Sequence, residues 1–314
     1  MIDPLTGRWD TSYHAPVMVK EVSALLAGSK EILDCTLGGG GHSEALLATG
    51  SSVVALDRDD AAITEARKRL APHEASGRFL AIRGNFAALD RIPELAGRRF
   101  DGILADLGVS SHQIDEDERG FSFRPGALLD MRMDRRSTTT AAELLNTLDE
   151  ADLSHIFREY GDEPRANRLA REITRRRVRK PMHVSDDLVD AIRGAFGART
   201  GPGDFARFFQ AVRIAVNDEL NALEKALPLL RDRLNPGGIL AVIAYHSGED
   251  RLVKHTMREW SMSCICPPRQ LQCTCRGHAL GDLLTKRALV ANDAETASNP
   301  RSRSARLRAW RNAA

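Results

Sequence analysis

The chain has 314 residues, of which 42% are hydrophobic and 28% charged, a composition typical of a globular protein with a buried core. Its net charge of +2 excludes no class of partner, so evidence for nucleic-acid binding has to come from local basic clusters. No segment approaches the ~20 apolar residues of a membrane span, and residues 1–20 lack the apolar core of a signal peptide. Five cysteines, four of them clustered, fit a reducing cytoplasm better than a disulfide framework. We therefore expect a cytoplasmic protein.

The predicted elements of the first hundred residues alternate between strands and helices. After an irregular lead-in over residues 1–15 and a short amphipathic helix, the apolar pattern predicts strands at 32–34, 52–56, 78–83 and 100–105, with a helix over 61–70. Such alternation is typical of an α/β fold in which helices cover both faces of a mainly parallel, Rossmann-like sheet. Ligands of these folds bind at the carboxyl ends of the strands.

The alternation stops after the fourth strand. Residues 112–204 read as turns and helices, including helices over 151–160 and 186–196, and we interpret them as a helical insertion. A long helix over 205–234 then returns to the sheet, followed by a fifth strand at 239–244, a helix at 249–260 and two last strands at 284–290 and 304–310. The predicted organisation is therefore a sheet domain in two parts, 1–111 and 205–314, interrupted by the insertion.

Four consecutive glycines, at positions 38–41, separate the first strand from a helix start. Glycines at such a turn allow positive φ and a close approach of the backbone to a ligand. Asp57 follows the second strand, where nucleotide-binding sheets hold two ribose hydroxyls. The third glycine of the dinucleotide motif is missing, because Ser43 or Glu44 stands there. A ligand without phosphates, such as S-adenosylmethionine, fits better than a nicotinamide dinucleotide.

Asp106 follows the fourth strand and is the strongest candidate for catalysis. Enzymes that methylate exocyclic amines of bases carry a polar turn at this place, because the amine lone pair is delocalised into the ring and needs an oxygen acceptor to align it. The alternative for Asp106 is a turn-forming or helix-capping role. Gln113, in the loop that follows, can contact cofactor or base, or remain a solvated loop amide.

His246 ends the fifth strand together with Ser247, Glu249 and Asp250. On the same edge of the sheet it can bind a base or a phosphate. The alternative is purely structural, because Ser247 and Asp250 have the spacing of a helix capping box.

Two arginine clusters predict contacts with nucleic acid. Residues 164–181 hold eight cations against the single acid Glu172, with Arg175 and Arg176 near the middle of the outward face. A second cluster, with Arg301 and Arg303 at its start, closes the chain. Charge this one-sided favours binding of phosphates over a merely solvated face.

Four cysteines form two C-x-C pairs separated by six residues: Cys264, Cys266, Cys273 and Cys275. Four thiolates in one loop can hold zinc in tetrahedral geometry. The usual spacing within a pair is C-x2-C, so unligated reduced thiols are the alternative. Cys35, on the first strand, is expected to be a small buried hydrophobe.

These residues belong to longer motifs that follow one another along nearly the whole chain. The motifs are His14-Ala15-Pro16-Val17-Met18, residues 34–42 from Asp34 to His42, Leu56-Asp57-Arg58-Asp59, Asp106-Leu107-Gly108-Val109-Ser110-Ser111, Arg119-Gly120-Phe121-Ser122-Phe123, Leu129-Asp130-Met131-Arg132-Met133-Asp134, Phe209-Gln210-Ala211-Val212-Arg213-Ile214, Tyr245-His246-Ser247-Gly248-Glu249-Asp250-Arg251 and Asn299-Pro300-Arg301-Ser302-Arg303-Ser304. With them the sequence resembles the RsmH (MraW) family of bacterial rRNA cytosine-N4 methyltransferases.

The resemblance implies a class I S-adenosylmethionine-dependent methyltransferase with an inserted helical domain that recognises the substrate. It implies methylation of N4 of one decoding-site cytidine, cytosine-1402, of 16S rRNA in the small ribosomal subunit. The cofactor contacts carried over from the family are Gly40, Gly41, His42, Asp57, Phe86, Asp106 and Gln113.

The chain departs from the family pattern at two places. Gly248 stands where the family has leucine, and His112 precedes Gln113 where the family has proline. Both changes flank the polar residues, so they bear on loop geometry. A non-catalytic RNA-binding protein of ribosome assembly remains the alternative, although it would need neither Asp57 nor Asp106. The sequence leaves open whether the chain is a monomer or a homodimer.

Overall fold

We analysed a computed structural model of the protein, which describes residues 16–267, 269–270 and 272–313 and omits the side chains of Ser111 and His112. The predicted lead-in, with His14 and Ala15 of the first motif, lies outside the described residues. The described chain divides into two compact units, one formed by residues up to 108 together with 221–314, the other by residues 109–220. None of the helices in the described part has the length and apolarity of a membrane span.

The first unit is built on a seven-stranded sheet. Its strands are β1 (Glu31–Asp34), β2 (Ser52–Asp57), β3 (Phe79–Arg83), β4 (Phe100–Asp106), β5 (Leu234–Ala244), β6 (Gly281–Leu283) and β7 (Arg306–Asn312). They are arranged in the order β3-β2-β1-β4-β5-β7-β6. All neighbours from β3 to β5 pair in parallel, whereas β7 is antiparallel to both β5 and β6. This topology is the class I methyltransferase fold.

Twelve helices occur in the described part of the chain. They are α1 (Val19–Leu25), α2 (Gly41–Ala48), α3 (Asp60–Ala75), α4 (Ser111–Asp115), α5 (Ala141–Thr147), α6 (Glu150–Glu159), α7 (Ala166–Arg177), α8 (Ser185–Phe196), α9 (Pro202–Asn217), α10 (Glu219–Asp232), α11 (Ser247–Trp260) and α12 (Asp293–Ser298). Short 3-10 turns follow β3 and precede β7.

The strands alternate their buried side chains between two cores on opposite faces of the sheet. Along β2, Val54 and Leu56 belong to a core that also includes α10 and α11, while Val53 and Ala55 belong to a core that includes α1, α2 and α3. A parallel sheet covered on both faces reads as a continuous apolar run, which is why these strands could be predicted.

The second unit has its own core, formed by α5 to α9. Phe157 and Phe208 are fully buried there with their rings 5.8 Å apart. The compact unit ends at Leu220, beyond the predicted boundary at 204, because the apolar face of α9 packs into this core through Phe205, Phe208 and Val212.

Three predicted elements are wrong in detail. The long helix over 205–234 is two helices, α9 and α10, because Asp218 takes a left-handed φ of 51° between them. The last two strands are β6 and β7, whereas residues 284–290 contribute only an isolated bridge through Leu289. β5 already begins at Leu234, and its pairing with β4 shifts register between Phe100 and Gly102.

Candidate active site

The order of the strands determines where a ligand can bind. β1 lies between β2 and β4. The chain after β1 leads to β2 on one side, whereas the chain after β4 leads to β5 on the other side. Such a reversal opens a crevice at the carboxyl ends of the two central strands. Here those ends carry Asp34 and the glycine turn after β1, and Asp106 at the end of β4.

The glycine turn is shaped by positive backbone angles and close packing. Gly38 and Gly40 have φ of 49° and 81°, which disfavours other residues. A Cβ on Gly40 would lie 3.2 Å from Leu70 and 3.3 Å from Ala66 of α3, and one on Gly41 would lie 2.8 Å from Pro16. At Gly40 and Gly41 the turn therefore leaves little space for a side chain.

Asp34 stabilises the glycine turn through a hydrogen bond with α2, a role that sequence reasoning did not assign. It is fully buried, and its Oδ2 accepts a 2.7 Å hydrogen bond from the hydroxyl of Ser43 on α2. Burial raises its pKa, against the opposing effects of Ser43 and His42. The sequence offered one hint, since an acid at the end of a buried strand needs a donor nearby.

Asp57 connects the second strand to the same turn. Its Oδ2 accepts from the backbone N–H of Gly38 and its Oδ1 from that of Asp59, each at 2.9 Å. Burial raises its pKa, although both hydrogen bonds act in the opposite direction. Each carboxylate oxygen has a second lone pair, so the pair can also accept two ribose hydroxyls.

Asp106 is held by three residues from three different elements. Its backbone N–H donates to the hydroxyl of Thr36 at 2.7 Å, and its Oδ1 accepts from the hydroxyl of Tyr245 at 2.8 Å. Its Oδ2 lies 3.4 Å from Nε2 of His42, which makes an ion pair when the ring is protonated. Both carboxylate oxygens thus have fixed positions.

His42 lies in the first turn of α2 and is 5% exposed. Burial lowers its pKa, but the carboxylates of Asp106, Asp34 and Glu295 outweigh this effect and leave the pKa above the ordinary 6.5. Its Nδ1 is buried and has no hydrogen-bond partner among the described residues. An orphaned donor beside a glycine turn is what a site for a polar cofactor would show.

Tyr245 is the residue that sequence reasoning missed. It follows β5, and burial together with the carboxylate of Asp106 raises its pKa well above 10. A Cβ on Gly108 would lie 3.2 Å from the ring of Tyr245. The strand register explains why Tyr245 meets Asp106. Asp106 pairs with Ile243 of β5, and Tyr245 is the next residue on the same face of that strand.

The other predicted site residues have different surroundings. Phe86 is 8% exposed and belongs to a core of the sheet. Gln113 lies in the second unit, where its Oε1 accepts from the backbone N–H of Ser110 at 3.0 Å. His246 is the N-cap of α11 and accepts from the N–H of Glu249 at 3.4 Å. The structural alternative weighed from the sequence had placed the cap at Ser247.

The arginine clusters are more neutralised than the sequence suggested. Arg175 and Arg176 both pair with Glu172, each at 2.6 Å. In the C-terminal cluster Arg308 is 9% exposed and pairs with Asp250 at 2.7 Å, while Arg301 and Arg303 are exposed. Glu172 is the acid already present within residues 164–181 of the sequence, whereas Asp250 is a spatial neighbour of Arg308 that the local sequence does not show.

The model of the MraW methylase family matches residues 11–313. The chain belongs to the MraW methylase family. Curated relatives carry the name ribosomal RNA small subunit methyltransferase H. The protein of that name from Gemmatimonas aurantiaca is 59% identical over 98% of both chains. The one from Heliobacterium modesticaldum is 45% identical, over 95% of this chain and 97% of its own.

MraW methylases are S-adenosylmethionine-dependent, so the chain is a methyltransferase with this cofactor. The residues present fit the cofactor, because Gly40 and Gly41 leave little space for a side chain, Asp57 keeps free lone pairs and the Nδ1 of His42 lacks a partner among the described residues. The preference for S-adenosylmethionine over a dinucleotide, drawn from the missing third glycine, is confirmed.

Proposed function

We propose that this protein transfers a methyl group from S-adenosylmethionine to N4 of cytosine-1402 in 16S rRNA of the small ribosomal subunit. The observation that carries the proposal is the carboxylate of Asp106, which lies at the end of β4 beside the glycine turn and is held by Tyr245 and His42. The names of the relatives support a small-subunit rRNA as the substrate.

The cofactor supplies an electrophilic methyl group when it is bound. Gly40 and Gly41 would take its polar end, with His42 beside it, and Asp57 would accept its ribose hydroxyls. Phe86 would border the adenine, and Gln113 remains a cofactor contact implied by the family resemblance.

Asp106 would accept hydrogen bonds from the N–H groups of the cytosine amine. Because the N4 lone pair is delocalised into the base, an acceptor that fixes the amine raises the fraction of encounters with the right geometry. The hydroxyl of Tyr245 occupies one lone pair of Oδ1 at 2.8 Å, so the carboxylate cannot rotate freely. Its remaining lone pairs then point in defined directions towards the amine.

The substrate base has to leave its stack before it reaches Asp106. Arg301 and Arg303, both exposed on the 3-10 turn before β7, would hold rRNA phosphates. Arg175, Arg176 and His246 remain proposed RNA contacts. The pairing of the two arginines with Glu172 reduces what each contributes to phosphate binding.

The test is a methyl-transfer assay with labelled S-adenosylmethionine. Unmethylated small subunits and free 16S rRNA are the substrates, and mass spectrometry identifies the modified nucleoside. We expect N4-methylcytidine with the wild type. Asp106→Asn keeps the shape but loses the charge, and it should lower turnover by about a hundredfold, as should Asp106→Ala. Cofactor affinity is measured separately, because Asp106 is also an expected cofactor contact.

Asp60→Asn is the matched control, since Asp60 is an exposed acid at the start of α3. It should be as active as the wild type. Full turnover of Asp106→Ala with unchanged cofactor affinity would contradict the role of Asp106. Cofactor binding without any label on either substrate would contradict the proposal as a whole and favour a non-catalytic RNA-binding protein.

A further inference from the structure

The loop between α11 and β6 brings its four cysteines together. The sulfur atoms of Cys264, Cys266, Cys273 and Cys275 all lie within 4.8 Å of one another. The separations are 3.9 Å from Cys273 to both Cys264 and Cys266, 3.4 Å from Cys273 to Cys275, and 3.8 Å from Cys275 to Cys264. All four cysteines are free thiols, and a disulfide would need about 2.05 Å.

These separations match the edges of a tetrahedron around zinc. Four sulfurs at about 2.3 Å from a central ion lie about 3.8 Å from one another. We propose that the loop binds one zinc ion through these four thiolates. The site has a structural role, because four protein ligands leave no open position for water or substrate.

The backbone around the cysteines has the donors that such a site needs. The N–H of Ile265, in the first C-x-C pair, donates to the sulfur of Cys275 at 3.3 Å. The N–H of Thr274, in the second pair, donates to the sulfur of Cys266 at 3.5 Å. Each pair thus donates to a sulfur of the other, and contacts of this kind orient metal ligands and tune their charge.

The loop has no hydrophobic core of its own among its described residues. None of its described residues from Met262 to His278 is buried, so no hydrophobic core stabilises it. Thiols are weak hydrogen-bond donors, and four thiols, two exposed and two half-buried, would gain little from contacting one another alone. Short segments without a core are usually stabilised by a metal or by disulfides.

The proposed site is anchored at the far end of α11. The guanidinium of Arg276 donates to the carbonyl oxygens of Glu259 and Met262, and the N–H of Leu280 donates to the carbonyl oxygen of Trp260 at 2.7 Å. α11 starts after His246 and has 14 residues, about 21 Å at 1.5 Å per residue. The metal therefore lies well away from Asp106, and this inference does not depend on the proposed function.

The test measures metal in the full-length protein, purified under reducing conditions. We expect about one zinc per chain by mass spectrometry of the elements. Replacement by Co²⁺ should produce the intense d–d and thiolate charge-transfer absorption of a tetrahedral sulfur site. The thiols of the loop should react slowly with a thiol reagent, and quickly after a chelator is added.

Cys273→Ser removes one ligand and should weaken zinc binding by at least about tenfold. Cys35→Ala is the matched control, because it removes the buried thiol that follows β1 and should keep the zinc. Four reactive thiols and no bound metal after incubation with Zn²⁺ would overturn the proposal, as would equal zinc retention in Cys273→Ser. If that variant does not fold, the Co²⁺ spectrum of the wild type decides.

Discussion

One oxygen of the Asp106 carboxylate is held by a single hydroxyl group. Tyr245→Phe removes the donor to its Oδ1 and leaves the ring in place against Gly108. A lost hydrogen bond to a charged group costs about 1.5–3 kcal/mol. If half of this free energy is lost in the transition state of methyl transfer, turnover should fall by about tenfold or less, with little change in cofactor affinity. Single-turnover methyl transfer and calorimetry with S-adenosylhomocysteine measure the two quantities.

Tyr160→Phe is the control for that change, because Tyr160 lies in the second unit and packs edge-on against His155. It should transfer methyl groups at the wild-type rate. Wild-type turnover of Tyr245→Phe would mean that Asp106 needs no such orientation.

His42 should make the stability of the fold depend on pH. Its pKa in the folded state lies above the ordinary 6.5, because Asp106, Asp34 and Glu295 face it; Tyr245 also lies against Asp106. The protonated ring therefore contributes stability that is fully present below about pH 6.5 and is lost as pH rises through the raised pKa. The free energy of unfolding in urea should exceed that of His42→Asn by more at low pH than at high pH.

His255→Asn serves as the control for this profile, since His255 is exposed on α11. Its stability should run parallel to that of the wild type across the same range. A constant difference between wild type and His42→Asn at all pH values would show that His42 carries no such linkage.

At the scale of elements, two glycines allow backbone strain to be separated from ligand binding. Gly40 and Gly50 have φ of 81° and 97°, but a Cβ would meet α3 only at Gly40 and nothing within 4 Å at Gly50. Gly50→Ala should lower the free energy of unfolding by about 1–2 kcal/mol and leave cofactor affinity unchanged. Gly40→Ala should cost at least as much and also weaken binding of S-adenosylhomocysteine. Equal affinities in both variants would place the cofactor elsewhere.

The arginines of α7 should divide into structural and RNA-binding residues. Arg177 donates to the carbonyl oxygens of Leu145 and Leu148 at 2.8 and 2.6 Å, which ties α7 to the end of α5. Arg177→Gln should therefore cost about 1–3 kcal/mol of stability, measured by urea unfolding.

Arg168 is exposed on the same helix and has no side-chain partner among the residues described. Arg168→Gln should change stability by less than about 0.5 kcal/mol but weaken rRNA binding and reduce its salt dependence by about one ion contact. The reverse pattern in the two variants would contradict this division.

The two units have separate cores, which predicts separate folding. The core of residues 109–220 is formed only by residues of that unit. Expressed alone, this segment should be helical by circular dichroism and unfold cooperatively in urea. Phe157→Ala in the segment should cost about 3–5 kcal/mol, because Phe157 is fully buried. A segment without a cooperative transition would show that its core needs the rest of the chain.

Much of the sheet could be predicted from the sequence, and the reason is physical. β1 to β4 are buried on both faces, so their apolar runs are distinct, and the residues at their ends meet at one edge because the strands are parallel. Features that depend on non-local neighbours were missed. The pairing of Tyr245 with Asp106 and the neutralisation of Arg308 by Asp250 each depend on packing across the fold.

Two misses have local causes. Asp218 ends α9 in a conformation that glycine usually adopts, so nothing in the residue type marked the break. β6 has only three residues, which is too short for a periodic pattern. The strand was therefore predicted in the apolar stretch that follows, at residues 284–290.

The order of the strands has a consequence during synthesis on the ribosome. β4 and β5 are neighbours in the sheet, yet about 130 residues separate them along the chain. At a translation rate of about 5–20 residues per second, β4 waits roughly 6–26 s for its partner. Throughout this interval the nascent chain carries a buried-type strand with one unpaired edge, which is a site for intermolecular pairing. We therefore expect the need for a chaperone to be greatest in the interval after β4 has been synthesised and before β5 has been.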